Sequence, residues 1–312
     1  MKVLITGGAG FIGSHLCETV LKDKGFDALC LDNLSTGNKK NIEHLLNNSR
    51  FKFIKHDVTK TIDLKVDFIF HLASPASPID YQKLPIETSL ANSLGTYNML
   101  VLAKKNKARF LLASTSEVYG DSLEHPQKET YWGNVNPLGP RSCYDESKRF
   151  AEALTMSFQR KYNLDVRIAR IFNTYGPRMR LDDGRVLPNF IVQTLSNRPI
   201  TVYGDGTQTR SFCFISDMVS GLMKFMFTDS LSKEVINLGS SDEKKIIDVA
   251  NFLKKLLSSK SDIIFKPLPK DDPTKRKPDT TKAKRLLNWE TKIDFKSGLL
   301  QTIKWFRGEL NK

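Results

Sequence analysis

Three short stretches hold residue types that could do chemistry together. TGGAGFIG at 6–13 places Gly7, Gly8, Gly10 and Gly13 directly after an apolar run, and YDESK at 144–148 sets a phenol and an ammonium four residues apart. ASTSEVYGD at 113–121 gathers Ser114, Thr115, Ser116 and a carboxylate, Glu117, where an apolar strand should stop. The glycines fit both GxGxxG and GxxGxxG. Between a strand and a helix such glycines permit a tight turn, bring backbone N–H groups up to a pyrophosphate and let helix and strand pack closely. On a helix, Tyr144 and Lys148 share one face. A cation there should draw the phenol down from about 10 toward neutral pH and fit it to take a proton from a hydroxyl. YxxxK taken alone is commonly a surface pair, and a hydroxyl cluster taken alone is a strand cap.

Asp32 ends the second apolar run, nineteen residues past Gly13, the distance at which a carboxylate can accept hydrogen bonds from an adenosine ribose. Asn33 and Leu34 follow it. With no arginine there, a 2′-phosphate would meet unrelieved negative charge, so NAD is expected over NADP. Asp57-Val58 and Leu72-Ala73-Ser74 follow the next two strand-like runs, on the sheet edge where a dinucleotide lies.

The elements that must position these groups alternate. Val3–Thr6, Ala28–Leu31, Phe51–Ile54, Phe68–Leu72 and Phe110–Ala113 are short β-rich runs, and 11–24, 39–47 and 86–106 carry helical periodicity. A helix at 143–162 and a strand at 165–171 continue the pattern. This order predicts an α/β, Rossmann-like, doubly wound parallel sheet with helices on both faces. Past about residue 175 the rhythm loosens to glycine- and proline-bearing loops, short strands at 200–203 and 234–238, and helices near 187–196, 217–228, 245–258 and 296–307. The expected division is a cofactor domain at 1–175 and a smaller mixed α/β substrate region at 176–312, with some crossing of the chain and the ligands in the cleft between them.

Composition bounds the partners. A length of 312 residues with 40% hydrophobic content can bury a large core. The formal charge of +14 favours anionic ligands, but the lysines are scattered in pairs and form no basic tract, which argues against nucleic acid. The four cysteines form no CxxC and do not cluster with the five histidines, so neither disulfides nor a metal are expected. No run approaches 18 apolar residues, and VLIT follows Met1 almost at once without a basic leader. A cytoplasmic protein without a membrane partner is expected.

Taken together, the glycine loop, Asp32, the hydroxyls after the fifth strand and YxxxK resemble the extended short-chain dehydrogenase/reductase superfamily over essentially the whole chain. HLASPASPIDY (71–81), LLASTSEVYGD (111–121), YWGNVNPLGPRSCYDESKR (131–149), ARIFNTYGPRM (169–179) and DGRVLPNF (183–190) resemble its UDP-glucuronic acid decarboxylase branch. TVYGDGTQTRSF (201–212), DDPTKRKPDTTKAK (271–284) and LNWETK (287–292) extend the likeness. The resemblance implies conversion of UDP-glucuronate to UDP-xylose through a 4-keto sugar, with NAD recycled in the site. It makes Tyr144 the base, Lys148 its electrostatic partner, Thr115 the hydroxyl at the substrate oxygen, Glu117 a group that orients the sugar and helps protonate carbon 5, and Arg276 a group at the reacting sugar.

By the same resemblance, NAD is lined by Gly7, Gly10, Phe11, Ile12, Gly13, Asp32, Asn33, Thr36, Gly37, Asp57, Val58, Leu72, Ala73, Ser74, Tyr144 and Lys148. Substrate contacts fall to Ser77, Tyr81, Glu117, Asn173, Arg185, Tyr203, Arg210 and Arg276. The helices at 86–106 and 143–162 resemble the pair that forms a four-helix homodimer interface. Leu90 and Ala91 depart from the family's polar or basic pattern, so contacts there are not carried over. A 4,6-dehydratase would need an acid where Ser116 stands, a 4-epimerase normally lacks the glutamate, and an inert nucleotide binder would have lost the reactive set.

Overall fold

The computed structural model describes residues 1–311. Six parallel strands run through the first half: β1 (Lys2–Thr6), β2 (Asp27–Asp32), β3 (Phe51–Lys55), β4 (Phe68–His71), β5 (Arg109–Thr115) and β6 (Val166–Ile171). A seventh, β7 (Val235–Leu238), comes from beyond residue 175 and pairs parallel with β6, so the sheet order is β7-β6-β5-β4-β1-β2-β3. The first crossover series moves outward from β1 to β3 and the second from β4 to β7. The switch point therefore lies between β1 and β4, whose carboxyl ends open the crevice where such sheets bind ligands.

Side-chain alternation explains why both faces are covered. β1 sends Val3 and Ile5 into one core and Leu4 into the other; β5 does the same with Leu111 against Phe110 and Leu112. Helices α1 (Phe11–Val20) and α7 (Ile215–Phe227) contribute to the first core, and α4 (Thr96–Asn106) and α5 (Ser142–Tyr162) to the second. Burial on both faces is the reason the strands read as near-continuous apolar runs.

Two helical readings are modified. The 39–47 segment forms a 3₁₀ helix, Lys39–Leu45, capped by Asn38. The long 86–106 helix is interrupted: α3 (Pro85–Leu90) leads into a π turn, Ala91–Gly95, before α4. The π turn ends at Gly95, where close packing on the loop after β3 leaves no room for a side chain, since a Cβ would stand 2.7 Å from Val58 Cγ2. Along this interrupted helix Ile86, Leu90, Leu94, Tyr97 and Val101 are all exposed, as is Phe150 on α5. The spacing of the first five places them on one helical face.

The remaining strands position arginines. Thr209–Ser211 lies between Glu243–Lys245 and Lys275–Arg276, and the parallel register sets Arg276 opposite Arg210. The loop after β5 ties this small sheet to the large one. Asp121 accepts from the Thr274 N–H and hydroxyl at 2.9 Å, and Gln127 exchanges backbone and side-chain bonds with Lys277. Ile200–Tyr203 pairs with Ile263–Lys266 beside α6 (Val186–Leu195) and α8 (Ile246–Leu256). Among the described residues, no helix is long and apolar enough to cross a membrane, and no group of three or more His, Cys, Asp or Glu could hold a metal ion.

Candidate active site

A cleft of about 720 Å³ opens along the carboxyl ends of the sheet, walled on the far side by the C-terminal region. At one end stands the glycine turn. Gly7 has φ +68° and its N–H donates to Leu31 O at 2.8 Å. A Cβ on Gly13 would stand 2.1 Å from Gly7 O, so α1 can start this close to the turn only with glycine there.

Asp32 is held beside it, Oδ2 accepting from Ala9 N at 3.0 Å and Oδ1 from Leu34 N at 2.8 Å. Burial nevertheless pushes its carboxyl up. A Cβ on Gly37 would meet both Asp32 oxygens at 2.8 Å, so glycine there keeps one side of the carboxylate open. Thr6 Oγ1 accepts from Leu72 N and Ala73 N, fixing the chain after β4. Asp57 accepts from Asn33 Nδ2 at 3.0 Å and from Thr59. These bonds outweigh burial and hold its carboxyl low. The start of α1, set close against the turn by Gly13, offers helix N-terminal N–H groups, and with the Asp32 carboxylate on the cleft wall past it fits the pyrophosphate and adenosine ribose of NAD.

Midway along the cleft, Tyr144 occupies the first turn of α5 with Lys148 one turn on, both buried. Lys148 Nζ donates to Ala113 O at 2.9 Å and stands 5.9 Å from the Tyr144 ring centre. The expected drop in the phenol's pKa is absent here. Burial pushes Tyr144 up to about 12 despite a hydrogen bond from Thr115, with Glu117 adding to the rise. Burial likewise brings Lys148 down to about 8, against the pull of Glu152. Sequence spacing places the cation correctly but carries no information on how much water the pair loses, and desolvation is the largest influence on both groups. Tyr81, from α2 (Pro78–Lys83), stacks on Tyr144 at 5.1 Å with an 8° interplanar angle, and its buried hydroxyl has no partner.

Glu117 follows β5 in a 3₁₀ turn begun by Thr115, whose hydroxyl accepts the Glu117 N–H at 3.2 Å. Its Oε2 accepts from Arg141 Nη2 and, at 3.3 Å, from Arg276 Nη2, while Oε1 accepts from the Ser116 hydroxyl at 3.2 Å. Burial favours the neutral acid, but Arg276, Arg141 and Arg210 together hold the carboxyl well below its usual range. An acid so ionised orients and accepts; it has no proton of its own to give at neutral pH.

The expected site residues reach the cleft wall with one exception. Arg276 is 1% exposed and stands behind Glu117, with Nε and Nη1 unpartnered. Its contact is with the glutamate and not with the cavity. Ser77 caps α2 and donates to Asp80 at 2.8 Å. Arg185 is paired with Asp183 through Nε at 2.5 Å and Nη2 at 2.7 Å. Arg210 donates to Asp272 at 2.9 Å, and Asn173 and Tyr203 line the wall. Leu90 and Ala91 lie at the cleft wall and bring no polar side chain to it.

Three residues were not foreseen: Arg141, Asp145 and Asp272. Arg141 and Asp145 stand at i and i+4 across the start of α5, a signal visible in PRSCYDESK. Nothing near Asp272 in the sequence says that it reaches Arg141 at 3.5 Å.

The family model for GDP-mannose 4,6 dehydratase matches residues 4–302. UDP-glucuronic acid decarboxylase 1 of Arabidopsis thaliana is 54% identical over 310 residues, covering 99% of this chain and 71% of that protein. The chain belongs to the UDP-glucuronic acid decarboxylase family. Its relative in Danio rerio, of the same name, is 50% identical over 309 residues, covering 99% of this chain and 73% of that one. The family lies within the extended short-chain dehydrogenase/reductase superfamily. Among solved structures, UDP-glucuronic acid 4-epimerase of Bacillus cereus, crystallised with UDP-glucuronic acid and NAD, superposes with a TM-score of 0.90 at 31% identity, over 99% of this chain and 100% of that one.

The buried phenol yields a direct expectation. In the ligand-free protein the ζ-carbon resonance of Tyr144, assigned with Tyr144→Phe, should show a neutral phenol up to about pH 10. Ionisation below about pH 9 would show that Lys148 outweighs desolvation.

Proposed function

We propose that the protein decarboxylates UDP-glucuronate to UDP-xylose with NAD held in the glycine end of the cleft. The observation that carries this reading is the set at the end of β5. An ionised glutamate, Glu117, stands within a few residues of Thr115 and on the same cleft as Tyr144, while Ser116, at the place where dehydration would need an acid, is a hydroxyl donating to that glutamate.

NAD held by the glycine turn and Asp32 would supply reversible hydride acceptance at sugar carbon 4, and its positive ring would favour the phenolate. The residues of the chain do the rest. Thr115 and Tyr144 hold the 4-oxygen, and Tyr144 takes its proton as the ketone forms. The ketone is β to the carboxylate, so carbon dioxide can leave with its bonding electrons delocalised toward oxygen, a step that needs no strong base. Arg185 and Arg210, facing the cleft, suit the diphosphate and uronate oxygens by their planar forks. Glu117, being ionised, can orient a water beside carbon 5 but cannot itself be the acid; carbon 5 takes a proton from that water as solvent re-protonates it, so one solvent proton replaces the carbon dioxide lost. Tyr144 then returns its proton to the 4-oxygen.

A 4-epimerase would pass through the same ketone, and the likeness to the B. cereus enzyme keeps that reading in view. Product analysis separates the two. Purified protein given UDP-glucuronate should form UDP-xylose and carbon dioxide without net change in NAD, followed by ¹H NMR. A six-carbon product or untouched substrate would overturn the assignment.

The exposed apolar face of α3 and α4, with Phe150 on α5, supports a homodimer built on a four-helix interface. Four free thiols suit a reducing, cytoplasmic compartment. Light scattering should give twice the chain mass, and Leu94→Arg with Tyr97→Glu should halve it. A monomeric wild type would remove the interface.

A further inference from the structure

Arg141 joins the two reactive groups by both its backbone and its side chain. Its carbonyl accepts the N–H groups of Tyr144 and Asp145, each at 3.0 Å, so it opens the helix that carries the phenol. Its guanidinium is 10% exposed and donates to Glu117 Oε2 through Nη2, while Nε stands 3.7 Å from Asp145 and Nη1 3.5 Å from Asp272. The same group covers the Tyr81 ring at 5.8 Å, and that ring stacks on Tyr144.

We propose that Arg141 is a positioning residue for decarboxylation, clamping the Glu117 carboxylate in one orientation beside the Tyr81–Tyr144 stack. This rests on the decarboxylase reading of the cleft. Of the two arginines that touch Glu117, Arg141 makes the tighter contact; Arg276 is at 3.3 Å. A planar guanidinium can face Glu117, Asp145 and Asp272 from separate nitrogens, which an ammonium cannot do.

The groups facing Glu117 fix the sign of the pH effect. Arg141, Arg276 and Arg210 favour its charge. Burial opposes it, and the charge is felt in turn by Tyr144, Tyr81 and Asp145. Asp145, buried with Oδ1 unpartnered, is pushed up to about 8 by burial first and by Glu117 second. Asp272 offsets the arginines from the loop before Lys275–Arg276. Removing Arg141 raises the proton affinity of Glu117. A group needed in its ionised form then works only at higher pH, so the acidic limb of the rate profile moves up.

The test uses Arg141→Gln, Arg141→Lys, Glu117→Gln and the Arg141→Gln/Glu117→Gln double variant, with δ-¹³C glutamate labelling. Arg141→Gln should lower kcat about 10²-fold, with KM for UDP-glucuronate within about threefold. Arg141→Lys should restore part of the loss. The double variant should be no worse than Glu117→Gln within about threefold, because Arg141 acts through that carboxylate. The Glu117 resonance should be silent above about pH 5 in wild type and titrate there in Arg141→Gln. An unmoved resonance, or losses that multiply in the double variant, would overturn the clamp. If wild type releases no carbon dioxide, the decarboxylase reading fails by itself, and the Glu117 titration still decides whether Arg141 holds the carboxylate.

Discussion

A carboxylate buried at the end of β5 is the constraint around which the site is built. Glu117 would take up a proton in so dry a place unless cations surrounded it, and the fold supplies them from separate parts of the chain. Arg141 comes from the start of α5, and Arg210 and Arg276 from paired strands of the C-terminal region. Arg141 and Arg210 share Asp272 as a counter-charge, while Asp145, which burial and Glu117 keep largely protonated, stands beside Arg141. The two regions of the chain thus meet in one ion-pair network, and the cleft's geometry at the sugar end is as rigid as that network. Breaking a single partner in such a cluster costs far more than a surface pair would, because the remaining charges stay buried.

The other end of the cleft works by shape. Gly7, Gly13 and Gly37 stand where a Cβ would strike backbone or the Asp32 carboxylate, leaving a side-chain-free surface at the start of α1 beside one acid. Thr6 adds a buried bridge, accepting from Leu72 and Ala73 and bonding His71, whose burial keeps its ring neutral. Tyr144 and Lys148 lie between the two ends. Their desolvation is the reason the phenol resists ionisation until ligands bring in charge, which restricts base chemistry to the loaded site.

What the sequence made legible follows from how local each signal is. The glycine turn, Asp32 and YxxxK are set by spacing within one strand, turn or helix, and so are the first six strands. The strand at 235–238 was visible as a strand, but its place beside β6 depends on pairing across more than sixty residues, which no local pattern encodes. Gly95, at the end of the π turn, packs on Val58 from the loop after β3, a contact no local pattern shows. Arg141 reads as one more basic residue beside a helix start, and only folding brings Glu117 and Asp272 to it. The phenol's direction of shift was misjudged for a related reason: periodicity places a cation but says nothing of lost water.

If one cleft carries the sugar through oxidation, loss of carbon dioxide and reduction without releasing it, the hydrogen taken from carbon 4 must come back to that carbon. UDP-glucuronate deuterated at sugar carbon 4 tests this most directly, with unlabelled NAD in excess and the product read by ²H and ¹H NMR. The deuterium should return to carbon 4 of the pentose. Hydrogen at that carbon would contradict it, since the label would have left with an exchanging cofactor.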